Sequence, residues 1–318
     1  MSATEQAPFL PVPVADELAA ANSALAGMPH PDPTTPQGLA VMRASNFAPP
    51  VTTEITPYEL AFPGPAGELR GRVFRPDGPL RAVLLNIHGG GFCLGRPEND
   101  DRFSDMIARR CQVAVVSTQY RLAPEHPFPA GLDDCVAGAR WLVDRGLALF
   151  GTDRLLVGGG SAGAYYAAQV LLSLRSSGHI GQVVAANLLF GVYDLSRTPS
   201  QRKATAETLV LNSDWMNAFH RNAFPGLHNE DLRDERYSPL YADLAGLPPA
   251  LFTVGGLDPL LDDSLFMAAR WKAVGNDCEL DVWPGCVHGF TNLTPKTGRI
   301  ARDRMSSWLA KQLEIAGL

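Results

Sequence analysis

The sequence predicts an α/β protein built on a mainly parallel β-sheet that helices cover on both faces. From residue 51 onward, short runs rich in β-branched and aliphatic residues alternate with helix-length amphipathic segments. Strands that alternate with helices in this way usually form a parallel sheet. Glycine clusters follow some of these runs, at the sheet edge where such proteins bind ligands. The length of 318 residues suits one large domain or two small ones.

The pattern predicts eight strands and five helices in this part of the chain. The strands are expected at residues 54–62, 69–75, 81–88, 113–120, 154–158, 183–189, 250–254 and 278–283. The helices are expected at residues 101–110, 131–145, 162–175, 264–274 and 299–315. Each strand is a short apolar run, and each helix is long enough and amphipathic enough to cover the sheet.

Two segments depart from this alternation. Residues 1–50 contain nine prolines and two helix-compatible patches, at 16–28 and 37–45, which predict a helical arm. Residues 196–245 are polar and much longer than an ordinary connection. We therefore expect a catalytic domain formed by residues 51–195 and 246–318, with residues 1–50 and 196–245 forming a helical cap over the carboxyl edge of the sheet.

Composition argues against several classes of partner. The formal net charge is -6, from 27 basic and 33 acidic residues without long runs, so nucleic acid is not an expected partner. No basic, apolar leader and no stretch of 18 apolar residues occurs, which predicts no membrane span. The five cysteines never occur in C-x-x-C spacing and predict reduced thiols in a cytoplasmic protein, without a zinc site or another metal site.

The stretch LLVGGGSAGAYYA at residues 155–167 fits two motifs that carry different chemistry. Gly158, Gly160 and Gly163 match the dinucleotide-binding pattern G-x-G-x-x-G. Gly159, Ser161 and Gly163 match G-x-S-x-G, the turn that presents a nucleophilic serine.

The surrounding residues favour the nucleophile. A dinucleotide site needs an acidic residue about 20 positions further on, and none occurs between Ser161 and Asp194. A phosphate-binding loop needs Lys and then Ser or Thr, where this chain has Ala164 and Tyr165. A strand before the serine, a helix after it and small flanking residues meet the demands of the elbow, so Ser161 is the predicted nucleophile.

A second glycine cluster predicts the groups that stabilise negative charge. His88-Gly89-Gly90-Gly91 follows the apolar run AVLLNI. Acyl transfer places charge on the carbonyl oxygen, and residues without side chains let backbone N–H groups approach it. The N–H groups of Gly89, Gly90 and Ala162 are the predicted oxyanion hole. His88 is expected to brace this loop by hydrogen bonds.

The acid and the base are predicted from two later strand ends. Asp258 lies in VGGLDPLLDDS, and His288 lies in GCVHGF after the next strand. With Ser161 they follow the order nucleophile, acid, histidine, which distinguishes one serine hydrolase fold from the two other common ones. His288 would be the general base and Asp258 would orient it. Asp262 and Asp263 are rival acids, although we expect them to cap the next helix.

Other reactive residues are expected to be structural. Glu125 and His126 lie between prolines in a segment that predicts a rigid turn. Cys286 lies near His288 without an elbow of its own and is expected to pack in the core. Tyr165, Tyr166 and Asp194 are expected to brace the core and the loops.

Together these motifs resemble the hormone-sensitive-lipase-like carboxylesterases of the α/β-hydrolase superfamily. The resemblance rests on HGGGF, YRLAPEHPFPA at 120–130, the elbow with SAG, DPL and HGF, in this order. It runs from about residue 55 to the C-terminus. It implies the α/β-hydrolase fold, with an eight-stranded sheet and a cap, and ester hydrolysis without metal or cofactor. It is also compatible with a homodimer.

One position departs from the pattern. The family often has an acidic residue or threonine just before the nucleophile, where this chain has Gly160. We expect the glycine to leave the elbow looser, because an acidic side chain there would bond neighbouring loops.

The sequence therefore predicts a serine carboxylesterase that acts on small or medium acyl esters through an acyl-enzyme. Amide or carbamate hydrolysis by the same triad is the alternative, since the motifs do not separate these substrates. A ligand-binding receptor on this fold is a third interpretation, which the presence of His288 disfavours.

Overall fold

One eight-stranded β-sheet organises the chain in the computed structural model, which describes residues 15–27, 31–44, 51–228 and 230–318. The strands are β1 (Tyr58–Gly64), β2 (Gly67–Phe74), β3 (Ala82–Ile87), β4 (Val113–Thr118), β5 (Leu155–Gly160), β6 (Val183–Leu189), β7 (Ala250–Gly255) and β8 (Cys278–Trp283). Their order across the sheet is β1-β2-β4-β3-β5-β6-β7-β8. β2 is antiparallel to both neighbours, and all the other pairs are parallel. The predicted eight-stranded, mostly parallel sheet is confirmed.

The first strand starts later than predicted. The sequence suggests a start at residue 54, but β1 begins at Tyr58. The N–H groups of Glu54 and Ile55 donate to the Asp105 carboxylate at 3.1 and 2.9 Å instead of to a neighbouring strand. A side-chain acceptor therefore takes the place of the sheet in this segment.

The helices lie on both faces of the sheet. Their bounds are α1 (Ala15–Ala26), α2 (Pro36–Ala44), α3 (Asp101–Cys111), α4 (Ala130–Trp141), α5 (Leu147–Phe150), α6 (Ala162–Ser176), α7 (Pro199–Lys203), α8 (Ser213–Ala223), α9 (Leu261–Ala273), α10 (Phe290–Leu293) and α11 (Pro295–Ile315). A π-helical turn at 142–146 joins α4 to α5, so the predicted helix at 131–145 extends beyond its expected end.

Alternating side chains of the central strands build two cores. In β3, Val83 and Leu85 belong to the core that α4, α6 and α9 cover, while Leu84 belongs to the core beneath α3 and α11. All six residues of β3 are buried, as expected for a parallel strand with helices on both sides.

Both described helices of the N-terminal arm are fastened close to later loops. In α1, the Glu17 carboxylate accepts hydrogen bonds from the N–H groups of Lys296 and Thr297, at 2.8 and 3.0 Å, in the first turn of α11. In α2, Arg43 donates to the Cys93 carbonyl at 2.9 Å and pairs with the Glu125 carboxylate through two bonds of 2.8 Å. The arm thus contacts two separate segments, the first turn of α11 and the loop that contains Cys93.

The 196–245 segment contains α7, α8 and short helical turns. The Asn212 side chain caps α8 by accepting from the N–H of Trp215 at 2.8 Å. Phe219 of α8 packs directly on Gly91, where an added Cβ would lie 2.3 Å from its ring. Across the described residues, no helix combines the length and apolar character that crossing a bilayer requires.

Candidate active site

Ser161 occupies a sharp turn between β5 and α6. β5 ends at Gly160 and α6 begins at Ala162. The backbone of Ser161 has φ 56° and ψ −121°, a conformation that costs a non-glycine residue about 1–3 kcal/mol. The flanking glycines are required by space, because a Cβ at Gly163 would lie 1.9 Å from the Ile87 carbonyl oxygen. The predicted strand–turn–helix geometry is confirmed.

His288 contacts Ser161, and Asp258 contacts His288, from the ends of two strands that pair with each other further along the sheet. Asp258 follows β7, and His288 follows β8. The Nδ1 of His288 lies 2.9 Å from Asp258 Oδ2, and its Nε2 lies 3.0 Å from Ser161 Oγ. Because a carboxylate only accepts, Nδ1 carries the proton, and Nε2 is free to accept the proton of the serine hydroxyl. Asp258 is fixed in turn by the N–H of Leu260, 2.8 Å from its Oδ1.

The rival acids bind elsewhere. Asp263 is fully buried and accepts from the N–H groups of Tyr193 and Asp194 at 2.7 and 2.9 Å. Asp262 accepts from the N–H of Ser200 at 2.8 Å. The expectation that they cap the following helix is wrong, because both carboxylates lie in the first turn of α9 and hold the 193–200 loop instead.

The backbone N–H groups of the predicted oxyanion hole have no acceptor among the described residues. Gly89, Gly90 and Ala162 donate no hydrogen bond to any described residue. Gly90 has φ 127°, and a Cβ there would lie 2.2 Å from the Leu94 carbonyl oxygen. A Cβ at Gly89 would lie 2.8 Å from the carbonyl oxygen of Gly160. Glycine is therefore needed at both positions for the loop to approach the nucleophile.

His88 braces the glycine loop, as predicted. Its Nδ1 lies 2.8 Å from the Gly89 carbonyl oxygen, which requires the proton on Nδ1. Its ring stacks on Tyr120 with a centroid distance of 4.2 Å, and the Tyr120 hydroxyl donates to the His88 carbonyl at 2.9 Å. Burial lowers the pKa of His88 to about 4. The ring is thus a neutral structural group.

The remaining reactive residues have structural contacts. Glu125 holds Arg43, and the hydrogen bonds from this guanidinium lower the pKa of the carboxyl to about 2. Burial raises the pKa of the Cys286 thiol to about 12. Tyr165 is fully buried in the core. Asp194 accepts from Ser196 and Tyr241 and so braces its own loop. His30, which belongs to no motif, lies outside the described residues.

Two cavities meet at Ser161. The larger, about 230 Å³, is bordered by Ser161, His288, Gly89, Phe190 and Trp215, among others. The smaller, about 60 Å³, is bordered by Ser161 and Ala162 but not by His288. Its other walls are mostly apolar side chains of the 191–260 region. A planar ester can therefore extend from Ser161 in two directions.

Sequence reasoning missed two residues that line the smaller cavity. Arg197 and His220 border it beside apolar neighbours. Neither belongs to a motif, and each reaches the cavity through the fold of the 196–245 segment. Their positive or polar character was the only signal, and it does not distinguish them from surface residues. All five cysteines are free thiols, and the described residues contain no cluster of three or more His, Cys, Asp or Glu side chains that could hold a metal ion.

Comparisons with known proteins identify the family of this chain. The family model described as "alpha/beta hydrolase fold" matches residues 84–292. The chain is 35% identical to Esterase LipI of Mycobacterium tuberculosis over 254 residues, covering 76% of this chain and 77% of that protein. It is 33% identical to Carboxylic ester hydrolase LipN of the same organism over 252 residues, covering 77% of this chain but only 66% of that protein, just under two thirds.

Solved structures share the fold over nearly the whole chain. An ester-hydrolase from the metagenome of Lake Arreo has a TM-score of 0.81 and 33% identity, covering 96% of this chain and 100% of that one. An esterase of Pyrobaculum calidifontis has a TM-score of 0.76 and 29% identity, covering 96% of this chain and 94% of that one. The chain therefore belongs to the hormone-sensitive-lipase-like family of the α/β-hydrolase fold.

Proposed function

We propose that this protein is a serine carboxylesterase that cleaves small or medium acyl esters through an acyl-enzyme. The observation that carries the proposal is the continuous hydrogen-bonded series from Asp258 through His288 to Ser161. The relatives named as ester hydrolases support the same reaction class.

In the first half-reaction, Ser161 Oγ attacks the ester carbonyl while its proton passes to His288 Nε2. Asp258 stabilises the resulting imidazolium and keeps Nε2 directed at the nucleophile. The carbonyl oxygen becomes negative and accepts hydrogen bonds from the N–H groups of Gly89, Gly90 and Ala162. Loss of one such donor costs roughly 3–4 kcal/mol of transition-state stabilisation.

His288 then donates its proton to the leaving alcohol, which leaves the acyl group on Ser161. In the second half-reaction His288 takes a proton from water, the hydroxide attacks the acyl carbon, and His288 returns the proton to Ser161 Oγ as the bond to the acid breaks. The leaving oxygen must lie against His288 Nε2 to receive its proton. The cavity that His288 borders is thus the alcohol side, and the smaller cavity takes the acyl group.

The domain boundaries belong to the same proposal. Residues 1–50 and 196–245 would form the cap, and residues 51–195 and 246–318 would form the catalytic domain. Trp215 and Phe219 of α8 support this division, because both border the larger cavity above the sheet edge. The cytoplasmic location and the homodimer stay predictions, which fractionation and sedimentation velocity would test.

The proposal is tested with p-nitrophenyl esters of increasing acyl length. The parent protein should prefer short chains, because the acyl cavity is the smaller one. Ser161→Ala should lose at least about a thousandfold in kcat, since the covalent step needs the hydroxyl. Full retention of hydrolysis by this variant would refute the mechanism, and a matched amide substrate cleaved faster than its ester would favour the amidase alternative.

A further inference from the structure

A cationic group borders the acyl cavity. Arg197 and His220 line it together with apolar side chains such as Leu195 and Met216, and no acidic residue is among its walls. A guanidinium is charged at any accessible pH. The cavity that borders the nucleophile therefore has mostly apolar walls and a cationic wall residue, Arg197.

Arg197 has no counter-ion in the described part of the chain. Its guanidinium is half-buried and donates to the Asn217 side-chain oxygen of α8. Burial and the neighbouring Arg221 lower the pKa of Arg197, and no carboxylate opposes them. A partly buried charge without a partner destabilises the fold, and an anion bound beside it would compensate for this cost.

The position of Arg197 is fixed by its backbone. Its φ is 77°, a left-handed value that costs a non-glycine residue about 1 kcal/mol or more and that persists only where the surroundings impose it. The bond to Asn217 restrains the guanidinium at the other end. The side chain is thus held at both ends, which reduces the entropy lost on binding a ligand.

The surroundings of Arg197 add further positive charge. Arg197 and His220 also border an outer cavity, whose walls include Arg221 and again no acidic residue. His220 has a buried Nε2 without a partner among the described residues. The walls of the outer cavity thus carry the positive charges of Arg197 and Arg221, of which Arg221 also interacts with the Asp32 carboxylate.

We propose that the acyl cavity recognises a carboxylate at the far end of the acyl chain, so that half-esters of short dicarboxylic acids are preferred substrates. This inference rests on the proposed esterase function. The planar guanidinium of Arg197 matches a carboxylate in shape and charge. A neutral chain of the same length would fill the same apolar passage but leave the charge unpaired.

The test compares two benzyl esters that differ only in charge. Benzyl hydrogen succinate ends in a carboxylate, and benzyl levulinate has a methyl ketone in the same place. Release of benzyl alcohol is measured for the parent protein, Arg197→Met, Arg197→Lys and the exposed control Arg202→Met. A second pair, para-(acetoxymethyl)benzoate and para-(acetoxymethyl)acetophenone, carries the same charge difference on the alcohol side.

We expect Arg197→Met to lower kcat/KM for benzyl hydrogen succinate roughly tenfold to hundredfold, because a charge-assisted pair is lost. The ratio of kcat/KM on benzyl hydrogen succinate to kcat/KM on benzyl levulinate should fall by a similar factor, and the activity that remains on benzyl levulinate verifies that the variant is folded. Arg197→Lys should retain part of the preference, and Arg202→Met all of it. Added salt should weaken the preference in the parent protein.

Three results would overturn the inference. Equal losses on both benzyl esters would make Arg197 structural, and no loss on either would make it irrelevant. A charge preference on the alcohol-side pair alone would contradict the acyl-side position of Arg197. The proposed esterase function is judged separately, because it requires only that the parent protein hydrolyse benzyl levulinate and that Ser161→Ala does not.

Discussion

Backbone strain in the described chain is concentrated around the two cavities. Among the described residues, six that are not glycine have a positive φ, and five of them border a cavity that contains Ser161: Phe92, Ser161, Phe190, Arg197 and Val210. Such conformations cost about 1–3 kcal/mol each and tend to occur at functional sites. Their position supports the view that local backbone stability is lower around Ser161 because these side chains must line the cavities there.

Gly160 contacts one of these strained residues, Phe190, and so offers a test of its role. A Cβ there would lie 3.2 Å from the edge of the Phe190 ring, closer than ordinary contact. Phe190 in turn packs edge-on against His288, with a centroid distance of 5.0 Å. The glycine therefore leaves room for the ring that supports the base.

We predict that Gly160→Ala lowers kcat about threefold to tenfold and the free energy of unfolding by about 1 kcal/mol, because the methyl group displaces Phe190. Steady-state kinetics and urea unfolding measure the two effects. Gly181→Ala is the matched control, since nothing lies within 4 Å of a Cβ there. If Gly160→Ala had the same kcat and the same free energy of unfolding as the parent, the contact between residue 160 and Phe190 would have no effect on His288. Gly160→Asp would show separately whether an acidic side chain tightens the elbow.

Individual residues were predictable where chemistry imposes a motif. Ser161, Asp258 and His288 could be chosen from the order of three strand ends, and the hydrogen bonds join these same side chains. Arg197 could not be chosen, because its contact with the cavity depends on how a long polar segment folds back over the sheet. The roles of Asp262 and Asp263 were misjudged for a similar reason, since their partners lie about 60 to 70 residues away.

At the scale of elements, the sheet was predictable and its attachments were not. The central strands are continuous apolar runs, so β3 to β7 lie close to their expected positions. β1 begins later than predicted because the Asp105 carboxylate of α3 accepts hydrogen bonds from the N–H groups of Glu54 and Ile55, which precede the strand. The local sequence around residue 54 does not predict a hydrogen-bond acceptor that lies about 50 residues away.

The two helices of the arm illustrate the same limit. Their existence follows from helix-compatible patches between prolines, but their docking depends on hydrogen bonds to residues far away in the sequence. Glu17 binds the first turn of α11, where a carboxylate stabilises the exposed N–H groups and the positive end of the helix. α11 follows the His288 loop after the short helix α10, so this contact connects the arm to the segment that carries the base.

At the scale of the whole molecule, buried ionisable groups make stability depend on pH in opposite senses. Burial lowers the pKa of His88 from 6.5 to about 4. Between these values the unfolded chain binds more protons than the folded one, so stability falls as pH falls. Burial raises the pKa of Asp263 to about 7 and that of Asp100 to about 6. Their contribution therefore declines as pH rises from the unfolded value through the folded one.

We predict that His88→Phe reduces the fall in the free energy of unfolding that occurs as the pH is lowered. The parent protein should lose about 3 kcal/mol relative to the variant between pH 7 and pH 4, because the variant has no imidazole to protonate on unfolding. Denaturant unfolding at several pH values measures this difference, and the two aspartates cancel because both proteins contain them. His126→Gln, at an exposed histidine, is the control for the loss of an imidazole. A constant difference between parent and His88→Phe across this range would show that His88 does not carry the acid sensitivity.

Covalent labelling tests the central claim, that Ser161 is the nucleophile of a hydrolytic triad, most directly. A p-nitrophenyl alkylphosphonate resembles the tetrahedral intermediate and transfers its phosphonyl group to an activated serine. Incubation should release one p-nitrophenol per chain, abolish esterase activity and add the mass of the phosphonyl group to the peptide that contains Ser161. His288→Ala should react far more slowly, because the serine has lost its base. Stoichiometric labelling of another residue with loss of activity, or full activity after complete labelling of Ser161, would contradict the account.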